Sequence, residues 1–315
     1  YMYINAMGMF VPQGRIINKY FEDTLGLTDE WLLQRTGIHS RSKTADNEDG
    51  YSMGIDAVTD AKTNLSYNIE DVDLIVSASY TILDTVGTLA HRVQRHFNIT
   101  NAKALAVTSA CSSFVNGVEI IEGYFAMNKA SKALIICSEE NSAYNDLTNP
   151  QSGHLWGDAA VAVFISKERQ SESDAEILDV TTLGLGCIGK GPGGVGLFPK
   201  TTGITMHDGR DVFQHACIYM PKTLEILLHK NNLTINDVSY FACHQANLRI
   251  VSHIANQWNL PDDKFLNNIS RLGNTGSPSS MLSVVQNKDK FKKGDLIGLS
   301  VFGGGYSSGA MLIRF

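Results

Sequence analysis

The fold assignment starts from residues 103–125, KALAVTSACSSFVNGVEIIEGYF. The apolar run KALAV is followed by small and polar residues around Cys111, and then by apolar residues at helical spacing. This order predicts a buried strand, a tight turn and a helix, with Cys111 in the turn. A cysteine at such a turn is either a small buried core residue or a nucleophile.

Strand-like runs of the same kind recur along the chain and alternate with helix-like segments. Besides KALAVTSAC (103–111), the runs are DLIVSASY (73–80), KALIICSEEN (132–141), VSYFACHQAN (238–247), KFLNNISRLGNTG (264–276) and LIGLSVFGGG (296–305). Helical patterns between them are GTLAHRVQRHF, FVNGVEIIEGYFAMNK, HACIYMPKTLEILLHKN and RIVSHIANQWN. Strands that are apolar nearly throughout predict sheets covered on both faces. We therefore predict an α/β fold of two duplicated halves, residues 1–168 and 169–315.

Composition narrows the class of protein. The chain has 315 residues, of which 43% are hydrophobic and 18% charged, and its net charge is −6. This acidic balance argues against non-specific nucleic-acid binding, which needs a basic surface. No apolar stretch approaches 18 residues, and no basic segment precedes an apolar one at the N-terminus, so we expect neither a membrane span nor a signal peptide. Five scattered cysteines, without a CxxC pair or metal-ligand cluster, favour a cytoplasmic protein with reduced thiols and no metal site.

Polar and glycine-rich segments follow several predicted strands, where α/β proteins commonly place their chemistry. In chain order they supply Cys111, His244, Asn274 and the glycines 303–305. A helix N-terminus at Cys111 is expected to stabilise its thiolate, and Ala110, Ser112 and Ser113 to keep the approach open. Individually, His244 and Asn274 also fit structural caps or turns. Their occurrence together at successive strand ends favours a nucleophilic active site.

The motifs TSACSS, HQANLRI, GNTGSPS and FGGGYSSGAMLIRF resemble those of β-ketoacyl-acyl-carrier-protein synthase III, a family of condensing enzymes in the thiolase superfamily. DEWLLQRTGI (29–38), GDAAVAV (157–163) and TMHDGRDVF (205–213) resemble further family segments in the same order. The resemblance implies a thiolase-like, five-layered αβαβα fold and a cytoplasmic homodimer. It also implies acyl and malonyl thioesters of coenzyme A or acyl carrier protein as substrates, with no cofactor.

The resemblance further implies a role for individual residues. Cys111 would carry the acyl group, and His244 and Asn274 would bind the thioester carbonyl of the malonyl substrate. An oxyanion hole would come from the N–H groups of Cys111 and Gly305. Other residues implied are Trp31, Arg35, Gly209 and Asn247 for substrate or coenzyme A binding, Arg249 for carrier docking, and Val86 and Gly87 for the acyl pocket.

Several positions depart from the family pattern. Pro150 stands where a second adenine-stacking arginine is expected, Asn256 and Gln257 replace basic residues, and Gly87 replaces a proline of the substrate-lining loop. The departures at Pro150 and Gly87 support one alternative, a specialised-metabolism ketosynthase that joins longer acyl or β-ketoacyl thioesters, of dialkylresorcinol or quinolone type. A second alternative, from a different class, is a catalytically silent partner subunit, and the presence of Cys111, His244 and Asn274 together counts against it. A biosynthetic thiolase is disfavoured, because the final glycine loop lacks a second cysteine.

Overall fold

A computed structural model describes residues 1–315. The first half contains β1 (Met2–Phe10), β2 (Gly14–Ile17), α1 (Asn18–Leu25), α2 (Asp29–Thr36), β3 (Ser40–Lys43), α3 (Gly50–Lys62), β4 (Leu74–Ala78), α4 (Leu89–His96), β5 (Lys103–Val107), α5 (Ser113–Ala126), β6 (Lys132–Glu140) and β7 (Asp158–Ser166). The second half contains β8 (Ala175–Gly184), β9 (Gly196–Phe198), β10 (Gly203–Thr205), α6 (Gly209–Lys230), β11 (Tyr240–Cys243), α7 (Leu248–Gln257), α8 (Ile269–Leu272), α9 (Ser279–Asn287), β12 (Leu296–Gly303) and β13 (Ser307–Arg314). No helix is both long enough and apolar enough to cross a membrane.

The two halves share one strand order. The first runs β1-β7-β6-β4-β5 and the second β8-β13-β12-β11, with β1 and β8 hydrogen-bonded where the halves meet. Corresponding pairs have the same direction: β4 with β6 and β11 with β12 are parallel, and the remaining neighbours toward β1 or β8 are antiparallel. The strand corresponding to β5 is reduced in the second half to a parallel bridge between Phe241 and Phe265.

Three apolar clusters produce the layers. The central cluster contains α5, α9 and one face of the strands from both halves. One outer cluster packs α3 and α4 on the first half, and the other packs α6 and α7 on the second. Alternate residues of one strand enter different clusters: Ile135 of β6 lies in the central one, and Ile136 in an outer one. The predicted αβαβα arrangement is confirmed, and the apolar strand runs follow from burial on both faces.

The segment 264–276 is the main error in the predicted elements. It contains two isolated parallel bridges, Phe265 with Phe241 and Asn274 with Trp156, and residues 269–272 between them form α8. The side-chain oxygen of Gln245 accepts hydrogen bonds from the N–H groups of Asn268 and Ile269, both at 3.0 Å, so the chain turns into a helix there. Strands β1, β7, β8 and β13 were not among the predicted elements. The boundary between residues 168 and 169 stays a prediction and lies in the connection from β7 to β8.

Candidate active site

Cys111 lies in a tight turn between β5 and α5. The preceding Ala110 adopts φ +48°, in the left-handed region that residues with a Cβ atom rarely occupy. The hydroxyl groups of Ser112 and Ser113 donate to the backbone oxygens of Ser109 (2.7 Å) and Ala110 (2.6 Å). Ser112 and Ser113 are fully buried. They therefore stabilise the turn. The expectation that they keep the approach to Cys111 open is wrong.

The C-terminal glycine loop packs directly against this turn. A Cβ atom on Gly303 would come within 2.8 Å of the Cys111 nitrogen, so only glycine permits the approach. Gly303 and Gly304 line the cavity beside Cys111, whereas Gly305 does not. The N–H groups of Cys111 and Gly304 have no acceptor within the chain. The geometry therefore favours Gly304 over the predicted Gly305 for the contribution to an oxyanion hole.

His244 directly follows β11, and Asn274 follows the segment that replaces the third strand of the second half. They are 3% and 1% exposed. The Asn274 carboxamide oxygen accepts a hydrogen bond from the Gly276 N–H at 2.9 Å, which leaves its Nδ2 without a partner. His244 Nδ1 is also buried without a partner. Unpaired buried donors are costly in an apolar site, so their presence indicates a ligand-binding role.

Cys111, His244 and Asn274 line one small cavity, which we call the inner cavity. Its volume is about 20 Å³, and its wall is otherwise mainly apolar. Burial lowers the pKa of His244 to about 4, so the imidazole is neutral at pH 7. The cavity therefore offers a sulfur atom opposite two uncharged side chains that can donate hydrogen bonds.

Cys111 is a protonated thiol in this structure. Burial raises its pKa to about 12, the Glu139 carboxylate contributes in the same direction, and the Tyr80 hydroxyl acts in the opposite direction. The expectation that the helix N-terminus holds a thiolate is therefore wrong for the unliganded chain. Attack on a thioester requires that the proton leave the sulfur as the new bond forms, and the neutral His244 in the same cavity has a nitrogen that can accept it.

A second cavity of about 190 Å³ opens on Cys111 from another side, and we call it the apolar cavity. Its wall includes Tyr80, Ala110, Trp156, Val195, Leu197 and Ile204. Val86 and Gly87 do not line it. Both N–H groups donate to Asp84, which holds this loop at the surface, and Val86 is 87% exposed. Within one chain, the predicted acyl-pocket residues Val86 and Gly87 therefore do not lie beside Cys111. The residues that line the apolar cavity lie there in their place.

The entrance to the site is a larger depression of about 410 Å³, which we call the vestibule. It is lined by all five residues implied for substrate and carrier binding, namely Trp31, Arg35, Gly209, Asn247 and Arg249. Met206 lines both the vestibule and the inner cavity, so the two are adjacent. Asn247 also has a structural role, because its side-chain oxygen accepts the Arg249 N–H at 2.8 Å and caps α7.

The vestibule is basic although the chain is acidic. Arg35, Arg210 and Arg249 all line it, and α6 begins there at Gly209. The positive end of that helix dipole and three guanidinium groups attract an anionic ligand.

Two side chains of the same chain pack against the Trp31 ring. The Arg35 guanidinium lies 4.9 Å from the ring centroid, and His154 stacks on it at 5.6 Å with an interplanar angle of 26°. Burial lowers the pKa of His154 to about 4, so it is a neutral ring. Pro150 is exposed and does not line the vestibule. The side chain that stacks on Trp31 is thus His154, four residues beyond the position considered in the sequence.

Several lining residues were missed by the sequence analysis. They are Tyr80, His154, Trp156, Val195, Met206 and Arg210. One had a usable signal, because Trp156 directly precedes the GDAAVAV segment. Glu139, which lines none of the three cavities, was also missed, although it is an acidic residue near the end of a largely apolar strand. Tyr80 and Val195 had none, because their places depend on how distant loops fold over Cys111. No group of three or more histidine, cysteine, aspartate or glutamate side chains is arranged to hold a metal ion.

Comparisons with known proteins agree with this geometry. A family model described as 3-oxoacyl-[acyl-carrier-protein (ACP)] synthase III matches residues 105–184, and its C-terminal counterpart matches residues 228–315. The chain is 32% identical over 313 residues to β-ketoacyl-[acyl-carrier-protein] synthase III of Acholeplasma laidlawii, covering 99% of this chain and 97% of that protein. It is 28% identical over 326 residues to β-ketoacyl-[acyl-carrier-protein] synthase III 2 of Bacillus anthracis, with 99% and 97% covered. The crystal structure of 3-oxoacyl-[acyl-carrier-protein] synthase III from Aquifex aeolicus has a TM-score of 0.92 and 28% identity, with 100% of each chain covered.

Proposed function

The chain belongs to the 3-oxoacyl-[acyl-carrier-protein] synthase III family of condensing enzymes, and from this premise we propose a role for each part of its site. Cys111 accepts an acyl group from a thioester, and the bound acyl group then condenses with a malonyl thioester. The observation that carries the proposal is the shared inner cavity, in which Cys111 faces His244 and Asn274, with the apolar cavity beside the sulfur.

In the first half-reaction, the Cys111 sulfur attacks the carbonyl carbon of the acyl thioester. The thiol proton passes to the neutral His244 and then to the departing carrier thiolate, so the carrier leaves as a thiol and the enzyme as a thioester. The N–H groups of Cys111 and Gly304 are free to bind the oxyanion of the tetrahedral intermediate. The apolar cavity receives the acyl chain.

In the second half-reaction, the malonyl thioester places its carbonyl oxygen in the inner cavity. Loss of carbon dioxide leaves an enolate, and its developing charge lies on that oxygen. Asn274 Nδ2 and the His244 ring are donors that stabilise this charge, each worth about 3 kcal/mol. The enolate carbon then attacks the acyl-cysteine carbonyl, the carbon–sulfur bond breaks, and the Cys111 thiolate takes up a proton from water to regenerate the thiol.

The vestibule accepts the phosphopantetheine arm that both thioester carriers share. Its arginines and the start of α6 suit a phosphate group, and Met206 lies where the arm continues toward the inner cavity. His154 and Arg35 already lie against the Trp31 ring, so a coenzyme A adenine has less free ring surface on which to stack. We therefore propose acyl carrier protein as the preferred carrier of the acyl group, with Arg249 at its docking surface.

A cytoplasmic homodimer completes the proposal. All five cysteines are unpaired, which suits a reducing compartment. β5 ends the sheet with one edge unpaired, and such an edge is suited to pairing with the same strand of a second copy. The specialised ketosynthase is not favoured, because the two relatives to which the chain is 28% and 32% identical are synthases III. The inner cavity, with its full set of three side chains, argues against a silent subunit.

The proposal is tested by incubating the protein with a panel of acyl thioesters of increasing chain length and measuring its intact mass. One acyl group per chain is expected, on the peptide that contains Cys111, and its loss is expected when a malonyl thioester is added. If no thioester acylates the protein, or if the label lies on another cysteine, the proposed function is wrong.

A further inference from the structure

Glu139 is a buried carboxyl group that binds two segments of the active site, and the half-reactions above make no use of it. It is the penultimate residue of β6, and its side chain is fully buried. One carboxylate oxygen accepts hydrogen bonds from the Tyr80 N–H (2.9 Å) and the Ser277 hydroxyl (2.5 Å). The other accepts from the Thr81 N–H (2.9 Å) and the Thr81 hydroxyl (2.6 Å).

The hydrogen bonds around Glu139 suit its ionised form. The Thr81 hydroxyl accepts from the Glu140 N–H at 2.9 Å, so its own proton is directed to Glu139. No arginine or lysine is paired with Glu139. Burial raises the pKa of Glu139 to about 7, against the opposing effect of its four donors. The titratable groups affected by its charge are Tyr80, Cys111, Cys137 and Tyr144, all neutral at pH 7.

The donors to Glu139 belong to two segments of the active site. Tyr80 lines the apolar cavity, and Ser277 lies in the same loop as Asn274. A second connection runs parallel to the first. The Tyr80 hydroxyl donates to the Asn141 side chain at 2.8 Å, and that side chain in turn donates to the Asn274 backbone oxygen at 3.3 Å. One carboxylate thus connects the wall of the acyl cavity to the loop that presents the Asn274 carboxamide.

We infer that Glu139 is a positioning residue with two effects: its charge keeps the Cys111 sulfur protonated, and its hydrogen bonds place Asn274 for the decarboxylation step. The inference rests on the proposed function for its second effect only. A carboxylate near a thiol favours the neutral thiol. A fixed Ser277 holds the loop in which the Asn274 carboxamide is oriented by Gly276.

These two effects have opposite signs, and Ser277→Ala, which loosens the same loop, separates the loss of charge from a change in access to the thiol. Replacing Glu139 with glutamine removes the charge but retains the shape, so the thiol is easier to ionise. The amide NH₂ group of glutamine then faces groups that donate, so at least one hydrogen bond is lost and the loop is held less firmly.

The experiment compares wild type, Glu139→Gln and Ser277→Ala at about pH 8, where Glu139 is ionised. The alkylation rate of Cys111 by iodoacetamide is measured on free enzyme. Carbon dioxide release from malonyl-acyl carrier protein is measured in a single turnover on pre-acylated enzyme. Glu139→Gln is expected to alkylate roughly three- to tenfold faster, because one pKa unit is tenfold in thiolate. Its carbon dioxide release is expected to fall roughly tenfold.

Ser277→Ala separates the two effects and serves if Glu139→Gln does not fold. It keeps the carboxyl group but removes one donor to it, so alkylation should change less than in Glu139→Gln while carbon dioxide release falls. Glu140→Gln is the matched control, since this neighbouring carboxylate accepts from the Gly50 N–H away from the cavities, and both rates should stay at the wild-type level. Slower alkylation of Glu139→Gln, or wild-type carbon dioxide release in both test variants, would overturn the inference. Alkylation needs no acyl donor. If no thioester acylates the protein, the proposed function is wrong, but the effect of Glu139 on the Cys111 thiol can still be measured.

Discussion

The two halves of the molecule place different chemistry at corresponding positions. Tyr80 follows β4 and His244 follows β11. In chain order, each of these is the second strand that its half contributes to the nine-stranded sheet. Cys111 precedes α5 and Asn274 precedes α9, the two helices of the central layer. The first half thus contributes a thiol beside a tyrosine, and the second contributes two uncharged hydrogen-bonding groups.

The electrostatic surroundings of the two pairs explain this division. Burial and Glu139 raise the pKa of Cys111, while burial alone lowers the pKa of His244. Both groups are therefore neutral before a thioester binds, and charge appears only in the transition states that the free donors can stabilise. Two copies of one fold unit supply the geometry, and in the proposed function the residue types at equivalent strand ends serve two different half-reactions.

The largest expected effect is on the first half. Cys111→Ala should lose covalent acylation and condensation completely, because no other nucleophile lines the inner cavity. Its stability should change by no more than about 1 kcal/mol, since one partly exposed sulfur atom is removed. Cys187→Ala, which removes an exposed thiol, is the matched control and should acylate normally. If intact-mass measurement shows acylation of the Cys111→Ala protein, the assignment of the nucleophile to Cys111 in the first half is wrong.

A smaller effect tests the neutral state of the imidazole in the second half. The pKa of His244 is lowered from its ordinary 6.5 to about 4, so the unfolded chain binds this proton more tightly than the folded chain. The stability present above pH 6.5 is therefore lost as the pH falls toward 4. In His244→Leu this acid loss should shrink by about 3 kcal/mol between pH 7.5 and pH 4, measured by denaturant unfolding. A difference from wild type that does not vary with pH would show that His244 is not held neutral.

The turn at Cys111 in the first half could be predicted from the sequence more fully than the loop that contains Asn274 in the second half. Local pattern and composition alone placed Cys111 between β5 and α5. Asn274 was assigned a strand end, but the segment forms only isolated bridges at Phe265 and at Asn274 itself, because Gln245 binds the backbone between them. Gly304, Trp156 and Tyr80 reach Cys111 through packing between distant segments, which period and propensity do not encode. The raised pKa of Cys111 likewise depends first on burial and then on Glu139, and only the fold provides either.

The smallest expected effect concerns the carrier at the vestibule, which both halves line. A thioester on acyl carrier protein should acylate Cys111 several-fold faster than the same acyl group on coenzyme A, because a lost adenine stacking contact is worth about 1 kcal/mol. The preference should shrink in high salt, which screens charges over about 8 Å at physiological strength, and in Arg249→Glu. Arg271→Glu, on a separate exposed surface, is the control. A coenzyme A preference that persists in Arg249→Glu would contradict the docking role.

The division of the reaction between the halves is tested most directly in Asn274→Ala. The variant is loaded with an acyl group, freed from the donor and mixed with a malonyl thioester, and its intact mass is followed with time. We expect acyl loading at close to the wild-type rate, followed by retention of the acyl mass at least 100-fold longer than in wild type, because one enolate donor has been removed. Failure to load, or loss of the acyl group as fast as in wild type, would contradict the assignment of Asn274 to the second half-reaction.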